Sequence, residues 1–242
     1  MKTEISAEKL KSATLLASRF TSRGAQLESL QGILLIAEGK TLTLRATNLE
    51  CGVEVSIPAT IDEPGLMAVQ AAPFAALVAN LSSNRSISLS DKGSLLVITT
   101  DRSSSNIKTV SHEDFPILPT VSAEHSLVID AQDLARTLHA VAFCASLSSI
   151  KPELQSILLF GENSVLHAAA TDSFRLSEKT QSLKGSDVPH LLIPVRNAAE
   201  LIRILEHASG KVDIYYSENQ LSVRVDDVCF TTRLVVGTFP IY

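Results

Sequence analysis

Cysteine is scarce in this sequence. Cys51, Cys144 and Cys229 are odd in number, lie far apart, and form no CxxC pair or His ligand spacing. That argues against both a disulfide framework and a zinc site, and a reducing, cytoplasmic setting is the expectation. No apolar run approaches the length of a membrane span, and Met1-Lys2-Thr3-Glu4 lacks the apolar core of a secretory signal. Positive charge is also short: 21 Lys and Arg stand against 26 Asp and Glu, a formal net charge of -5. Such a balance argues against a globally basic nucleic-acid binder, while a local basic stripe stays open. GxxxxGK[ST], GxGxxG and GxSxG are missing, so neither a phosphate-cradling loop nor a nucleophile elbow has support. Asp226-Asp227 reads as a solvated turn at a strand end, and Cys144 as core packing. His139 and His207 fall on helices without a Cys or Ser at a triad position. No catalytic residue, metal or cofactor is expected.

What the chain does have is apolar content and self-similarity. Hydrophobic residues make up 45% of 242 and charged residues 19%, enough for a packed core in one large domain or two of about 120 residues. Sliding the chain by 124 residues lays Leu30-Gln31-Gly32-Ile33-Leu34-Leu35 on Leu154-Gln155-Ser156-Ile157-Leu158-Leu159. At the same offset Ala46-Thr47-Asn48 falls on Ala170-Thr171-Asp172, and Phe115-Pro116-Ile117 on Phe239-Pro240-Ile241. Clustered blocks at one constant offset indicate two copies of one unit. The boundaries are read as 1–122 and 123–242, joined near Pro119-Thr120-Val121-Ser122.

Each copy is expected to open with a helix, capped by Ser6 in the first and Asp130 in the second. Two strands follow in each, Gly32–Ile36 with Thr41–Ala46 and Ser156–Phe160 with Ser164–Ala170. A second helix is placed at Ala72–Leu81 and at Asn197–Ala208. Two or three further strands are expected to close each copy: Ser86–Leu89, Leu95–Thr99 and Ser105–Val110, answered by Lys211–Tyr216, Gln220–Asp226 and Phe230–Val235. The fold class is therefore α+β, two tandem repeats with helices on one face of antiparallel sheet.

The repeat blocks also carry a family resemblance. The run Leu154–Leu159, followed by Ala170-Thr171-Asp172-Ser173-Phe174-Arg175-Leu176, resembles the middle domain of the bacterial DNA polymerase III beta subunit, the sliding-clamp family. Thr232–Tyr242, with its Gly-Thr-Phe-Pro core, is similar to a later segment of that domain. Ser22-Arg23, Gln31–Leu35, Ala46–Glu50 and Glu113-Asp114-Phe115-Pro116 resemble first-domain segments. The similarity runs in order along essentially the whole chain. It implies a DNA-clamp fold and a non-catalytic processivity factor that encircles duplex DNA without sequence preference and tethers the replicative polymerase. Implied partners are the polymerase catalytic subunit, the clamp loader, other proteins bearing clamp-binding motifs, and further copies in a ring.

The resemblance also assigns sites. Arg23 and Lys151 fall where the family places DNA-contacting cations. Lys9, Lys11, Arg19, Arg136, Arg196 and Arg203 are the other basic residues on or beside the helices, and for each an ordinary solvated position is the alternative. The second helix, Ala72–Leu81, carries no charge. A peptide-docking pocket maps onto Leu154, Thr171, Ser173, Phe174, Arg175, Leu176 and Pro240, with Leu154, Leu176 and Pro240 as an apolar cup and Arg175 at its rim. Plain core positions are the alternative for Leu154 and Leu176. Ser173 replaces the family's Gly, and Phe174 takes its His or aromatic position. The family has three such domains and this sequence carries two. A truncated three-domain clamp is the expectation, against a two-domain clamp closing as a trimer or a protein-only interaction scaffold.

Overall fold

The computed structural model describes residues 1–22, 24, 26–82, 85–118, 121, 125–183 and 187–242. The chain divides into two compact units, Met1–Leu118 and Pro119–Tyr242. Of the joining segment Pro119-Thr120-Val121-Ser122, only Val121 is among the described residues.

The first unit runs β1 (Lys2–Ser6), α1 (Ala7–Ser18), β2 (Gly32–Glu38), β3 (Thr41–Thr47), β4 (Cys51–Glu63), β5 (Gly65–Gln70), α2 (Ala71–Ala79), β6 (Ser86–Asp91), β7 (Leu95–Thr99) and β8 (Ser104–Val110). Every strand pairing is antiparallel, and the pairings close a circuit: β1 to β6, β7, β8, β5, β2, β3, β4 and back to β1. Long β4 makes closure possible. Its first half pairs with β3 as far as Pro58, and Ala59–Glu63 then pair with β1. At β8, Ser104–Lys108 pair with β7 while Thr109 and Val110 pair with β5. Helices α1 and α2 pack on each other. Leu10, Ala13 and Ala17 turn inward from the first, with Phe20 buried just past its end, and Phe74 and Val78 from the second. A second, smaller cluster of Leu34, Ala68 and Phe115 has Ile36 and Val110 packed against it.

The second unit runs β9 (Ser126–Asp130), α3 (Ala131–Ala142), β10 (Ser156–Glu162), β11 (Val165–Thr171), β12 (Leu176–Ser182), β13 (Val188–Pro194), α4 (Val195–Glu206), β14 (Lys211–Tyr216), β15 (Gln220–Val225) and β16 (Val228–Arg233). Strands β12-β11-β10-β13 form one antiparallel sheet and β9-β14-β15-β16 another. Just past β16, the Val235 N–H donates to the Leu192 carbonyl at 2.9 Å, so the chain moves onto β13. Helices α3 and α4 pack together, and their burial is strongly one-sided, with Leu134, Leu138 and Val141 buried on α3 and Leu201, Ile202 and Leu205 on α4. Leu158, Ala169, Leu192 and Phe239 form the counterpart of the first unit's smaller cluster.

Several expectations change. Asp130 does cap α3, its carboxylate accepting from Gln132 N and Asp133 N, whereas the Ser6 side chain makes no capping bond to α1. The second helix of each unit starts one or two residues earlier than read and ends two residues earlier. Each unit also holds three strands that the hydrophobic pattern did not show: β1, β4 and β5 in the first, β9, β12 and β13 in the second. Asp226 and Asp227 form the two-residue turn between β15 and β16, with Asp226 at φ 49°.

Candidate functional site

The turn from Thr171 to Arg175 is built almost wholly by two side chains. Thr171 Oγ1 donates to the Arg175 carbonyl at 2.6 Å and accepts from Ser173 N at 3.1 Å. Asp172 Oδ1 accepts from Phe174 N at 2.9 Å and Arg175 N at 2.8 Å. These backbone donors, together with the Arg175 guanidinium, lower the Asp172 carboxyl to about 2. Asp172 Oδ2 meanwhile receives Arg175 Nε at 3.0 Å and Nη2 at 2.9 Å. The guanidinium is thus aimed by its own loop, with one edge occupied by Asp172.

The first unit repeats this turn bond for bond. Thr47 Oγ1 donates to the Cys51 carbonyl and accepts from Leu49 N, while Asn48 Oδ1 accepts from Glu50 N and Cys51 N. The third residue is left-handed in both, Leu49 at φ 75° and Ser173 at φ 76°. Ser173 therefore keeps the backbone conformation that glycine would adopt most readily.

Strand register gathers several of the residues expected to form a pocket at one end of the second unit's four-stranded sheet. Leu154 precedes β10, Thr171 ends β11 and pairs with Leu176 at the start of β12, and the 172–175 turn joins them. Ser177 Oγ donates to the Ala140 carbonyl and Gln181 Oε1 accepts from Thr137, so odd-numbered positions of β12 face α3. Leu176 and Glu178 consequently face the other way, on the side where Phe239 packs against Leu158 and Ala169. Pro240 follows Phe239 there and is exposed. Gly237, at the start of this segment, lies beside Glu153, the neighbour of Leu154; a Cβ added to it would sit 3.6 Å from Glu153 Cβ.

Within this group exposure is graded. Leu154 and Thr171 are buried, Leu176 is 46% exposed and Phe174 is 96% exposed. Of the apolar trio, Leu176 and Pro240 present surface, whereas Leu154 is buried. On the loop after α3, Phe143, Leu147 and Ile150 are large exposed apolar residues that sequence reasoning did not single out. Their signal was present in an apolar residue every three or four positions past the end of the helix.

The basic residues divide by unit. Lys9 and Arg19 are exposed on or just after α1, and Lys11 is half-buried. Arg23 lies outside the described residues. Arg136 on α3 is exposed but pairs with Asp133 one turn back. Arg196 and Arg203 are exposed on α4, seven residues and hence about two turns apart on one side of the helix. Lys151 is exposed in the loop before β10, three residues from Leu154. Helix α2 carries no charged side chain.

Other chemistry finds little here. Among the described residues no group of three or more His, Cys, Asp or Glu is arranged to hold a metal ion. Cys51 and Cys144 are buried thiols outside any disulfide. No helix of the described residues is long and apolar enough to cross a membrane.

Two family models match the chain: the DNA polymerase III beta subunit N-terminal domain over residues 1–119 and its central domain over residues 128–241. Among curated proteins, the beta sliding clamp of Staphylococcus aureus is 26% identical over 224 residues, covering 88% of this chain. The chain spans 59% of the length of that relative. Among solved structures, the DNA polymerase sliding clamp of Bacillus subtilis matches with TM-score 0.95 and 25% identity, covering 100% of this chain and 66% of the other. The DnaN sliding clamp of Bartonella birtlesii, solved bound to griselimycin, matches with TM-score 0.92 and 26% identity over 99% of this chain and 66% of the other.

Proposed function

Because the chain belongs to the family of DNA polymerase III beta subunits, we propose that it acts as sliding-clamp material: a non-catalytic, cytoplasmic tether that surrounds duplex DNA as part of a ring and holds the replicative polymerase to its template. The observation that carries this reading is the match of both units, in order, to the N-terminal and central clamp domains. Clamp loader and other motif-bearing proteins would compete for the same docking rim. Third-domain surfaces would complete the ring and the pocket. In this reading Arg196 and Arg203, together with Lys9, Lys11, Arg19, Arg23, Arg136 and Lys151, meet the DNA backbone. Leu154, Thr171, Ser173, Phe174, Arg175, Leu176 and Pro240 hold a partner's peptide.

Physical chemistry supports both halves. A two-cation row on one side of α4 can engage phosphates without reading bases, and a net charge of -5 opposes adhesion of the remaining surface to DNA. A half-exposed leucine and a proline next to a clamped arginine offer a shallow apolar seat with one charged edge. The test is duplex binding followed by fluorescence anisotropy across a salt series. Binding should be independent of sequence and fall steeply with salt, and Arg196→Ala and Arg203→Ala should each lower the logarithmic salt slope by about 1. Binding indifferent to salt, or an unchanged slope in both variants, would refute the DNA-facing assignment of α4.

A further inference from the structure

The segment after β16 crosses the outer face of the second unit's four-stranded sheet from β13 to β12. It starts with the Val235–Leu192 backbone bond, and Phe239 then sinks into the Leu158, Ala169 and Leu192 cluster at 6% exposure. It finishes with Tyr242, whose ring meets Phe239 edge-on at 6.1 Å and whose hydroxyl donates to Glu178 Oε1 at 3.2 Å. The same carboxylate oxygen lies 3.0 Å from His167 Nδ1, and the His167 ring stacks on Phe160 at 4.6 Å. Glu178 is therefore a node joining β11, β12 and the crossing segment. Pro240 sits between the two anchored aromatics, and Leu176 lies two residues before Glu178 on the same face of β12, about 7 Å along the strand.

The first unit supplies an internal control. Phe115 packs there as Phe239 does here. At the 124-residue offset, however, Glu178 corresponds to Glu54 and Tyr242 to Leu118. Glu54 pairs with Arg45 Nε at 2.5 Å, and Leu118 packs over Gly52. Apolar packing by Phe115 and Leu118 thus suffices to lay the segment on its sheet. The polar tie is an addition found in the unit that carries Arg175, Leu176 and Pro240.

We propose that Glu178 and Tyr242 are positioning residues of the docking rim: their hydrogen bond holds Pro240 beside Leu176, fixing the width of the apolar seat. This rests on the docking reading given above. Neither residue needs to touch the ligand.

The probe is griselimycin, titrated calorimetrically into the 242-residue chain. Leu176→Ala and Arg175→Ala report on docking itself and should abolish or strongly weaken binding. Tyr242→Phe and Glu178→Ala should each weaken binding about fivefold, the scale expected for loss of one ordinary exposed hydrogen bond. Glu178→Gln keeps an acceptor oxygen and should restore affinity to within about twofold of the unaltered chain. The Tyr242→Phe/Glu178→Ala double variant should bind no more weakly than either single one, because both remove the same bond. Spectrophotometric titration gives a direct readout: burial and the Glu178 carboxylate push the Tyr242 phenol up to about 12, and Glu178→Ala should bring it down. If Leu176→Ala abolishes binding while Tyr242→Phe and Glu178→Ala leave it unchanged, or their losses add, the positioning role is overturned and the docking site stands. If the unaltered chain does not bind, or Leu176→Ala has no effect, both are overturned. Should Glu178→Ala fail to fold, Tyr242→Phe with its thermal midpoint decides alone.

Discussion

Replacing Ser173 by glycine should make the second unit more stable. Ser173 stands at φ 76°, where an L residue carries a penalty of roughly 1–2 kcal/mol from its Cβ against the backbone. Glycine escapes that penalty but gives up about 0.5–1 kcal/mol in backbone entropy relative to a residue with a side chain. No compensating burial is lost, since Ser173 is exposed, and the bonds that build the turn use its backbone N–H and its neighbours' side chains. The net gain is about 0.5–1 kcal/mol. For a unit of this size that raises the midpoint of its thermal transition by about 2–4 °C. Differential scanning calorimetry on Ser173→Gly, with Ser104→Gly on exposed β8 as control, measures it. The control should lose about 0.5–1 kcal/mol, as glycine does within strands. If Ser173→Gly were destabilised like the control, the left-handed backbone would not be strained by serine and the argument would fail.

Asp172→Asn should flatten the acid limb of the stability curve. The carboxyl is lowered in the fold from 3.8 to about 2, so its stabilising contribution is present above about 4 and lost as pH falls toward 2; urea midpoints across that range measure it, and an unchanged slope would contradict the role given to the backbone donors. Asp130→Ala should cost about 1 kcal/mol by removing the cap that accepts from Gln132 N and Asp133 N. Ser6→Ala should stay within about 0.5 kcal/mol because Ser6 caps nothing with its side chain. Equal losses from the two cap variants in chemical denaturation would count against that distinction.

Helices, the repeat and the shape of the 171–175 turn were legible because their signals are local. Leu134, Leu138 and Val141 recur at helical spacing, and the Ala-Thr-Asn and Ala-Thr-Asp blocks carry the hydrogen-bonding side chains of the two turns. The missed strands lack such signals for separate reasons. On β12, Leu-Ser-Glu-Lys-Thr-Gln-Ser has one apolar residue and no buried position, so no period-two pattern exists to read. β5 runs from Met67-Ala68-Val69 through Gln70 straight into the apolar α2, and the nearest proline, Pro73, lies inside the first turn of the helix rather than between the two elements. β4 does alternate at Val53, Val55 and Ile57, but Pro58 argues against continuation, and only the change of partner from β3 to β1 explains thirteen residues of strand. The tie between Tyr242 and Glu178 spans 64 residues and leaves no trace in either neighbourhood.

The twin turns have a consequence for how binding preference can change. All their shaping bonds come from a threonine hydroxyl, an Asn or Asp oxygen and the main chain. The third and fourth residues contribute only backbone to that frame; the fifth does so in the first unit, whereas in the second the Arg175 guanidinium adds an ion pair to Asp172 Oδ2. One frame accordingly carries Leu49, Glu50 and a buried Cys51, the other Ser173, an exposed Phe174 and an exposed Arg175. Position 174 forms a display mounting: its side chain can be exchanged while every bond that holds the loop in place goes untouched. Exchange at 175 gives up only the pair to Asp172 Oδ2, leaving the Thr171 and Asp172 Oδ1 bonds to the main chain intact. On the docking reading proposed above, these are the positions at which a rim's taste for one ligand over another would be altered.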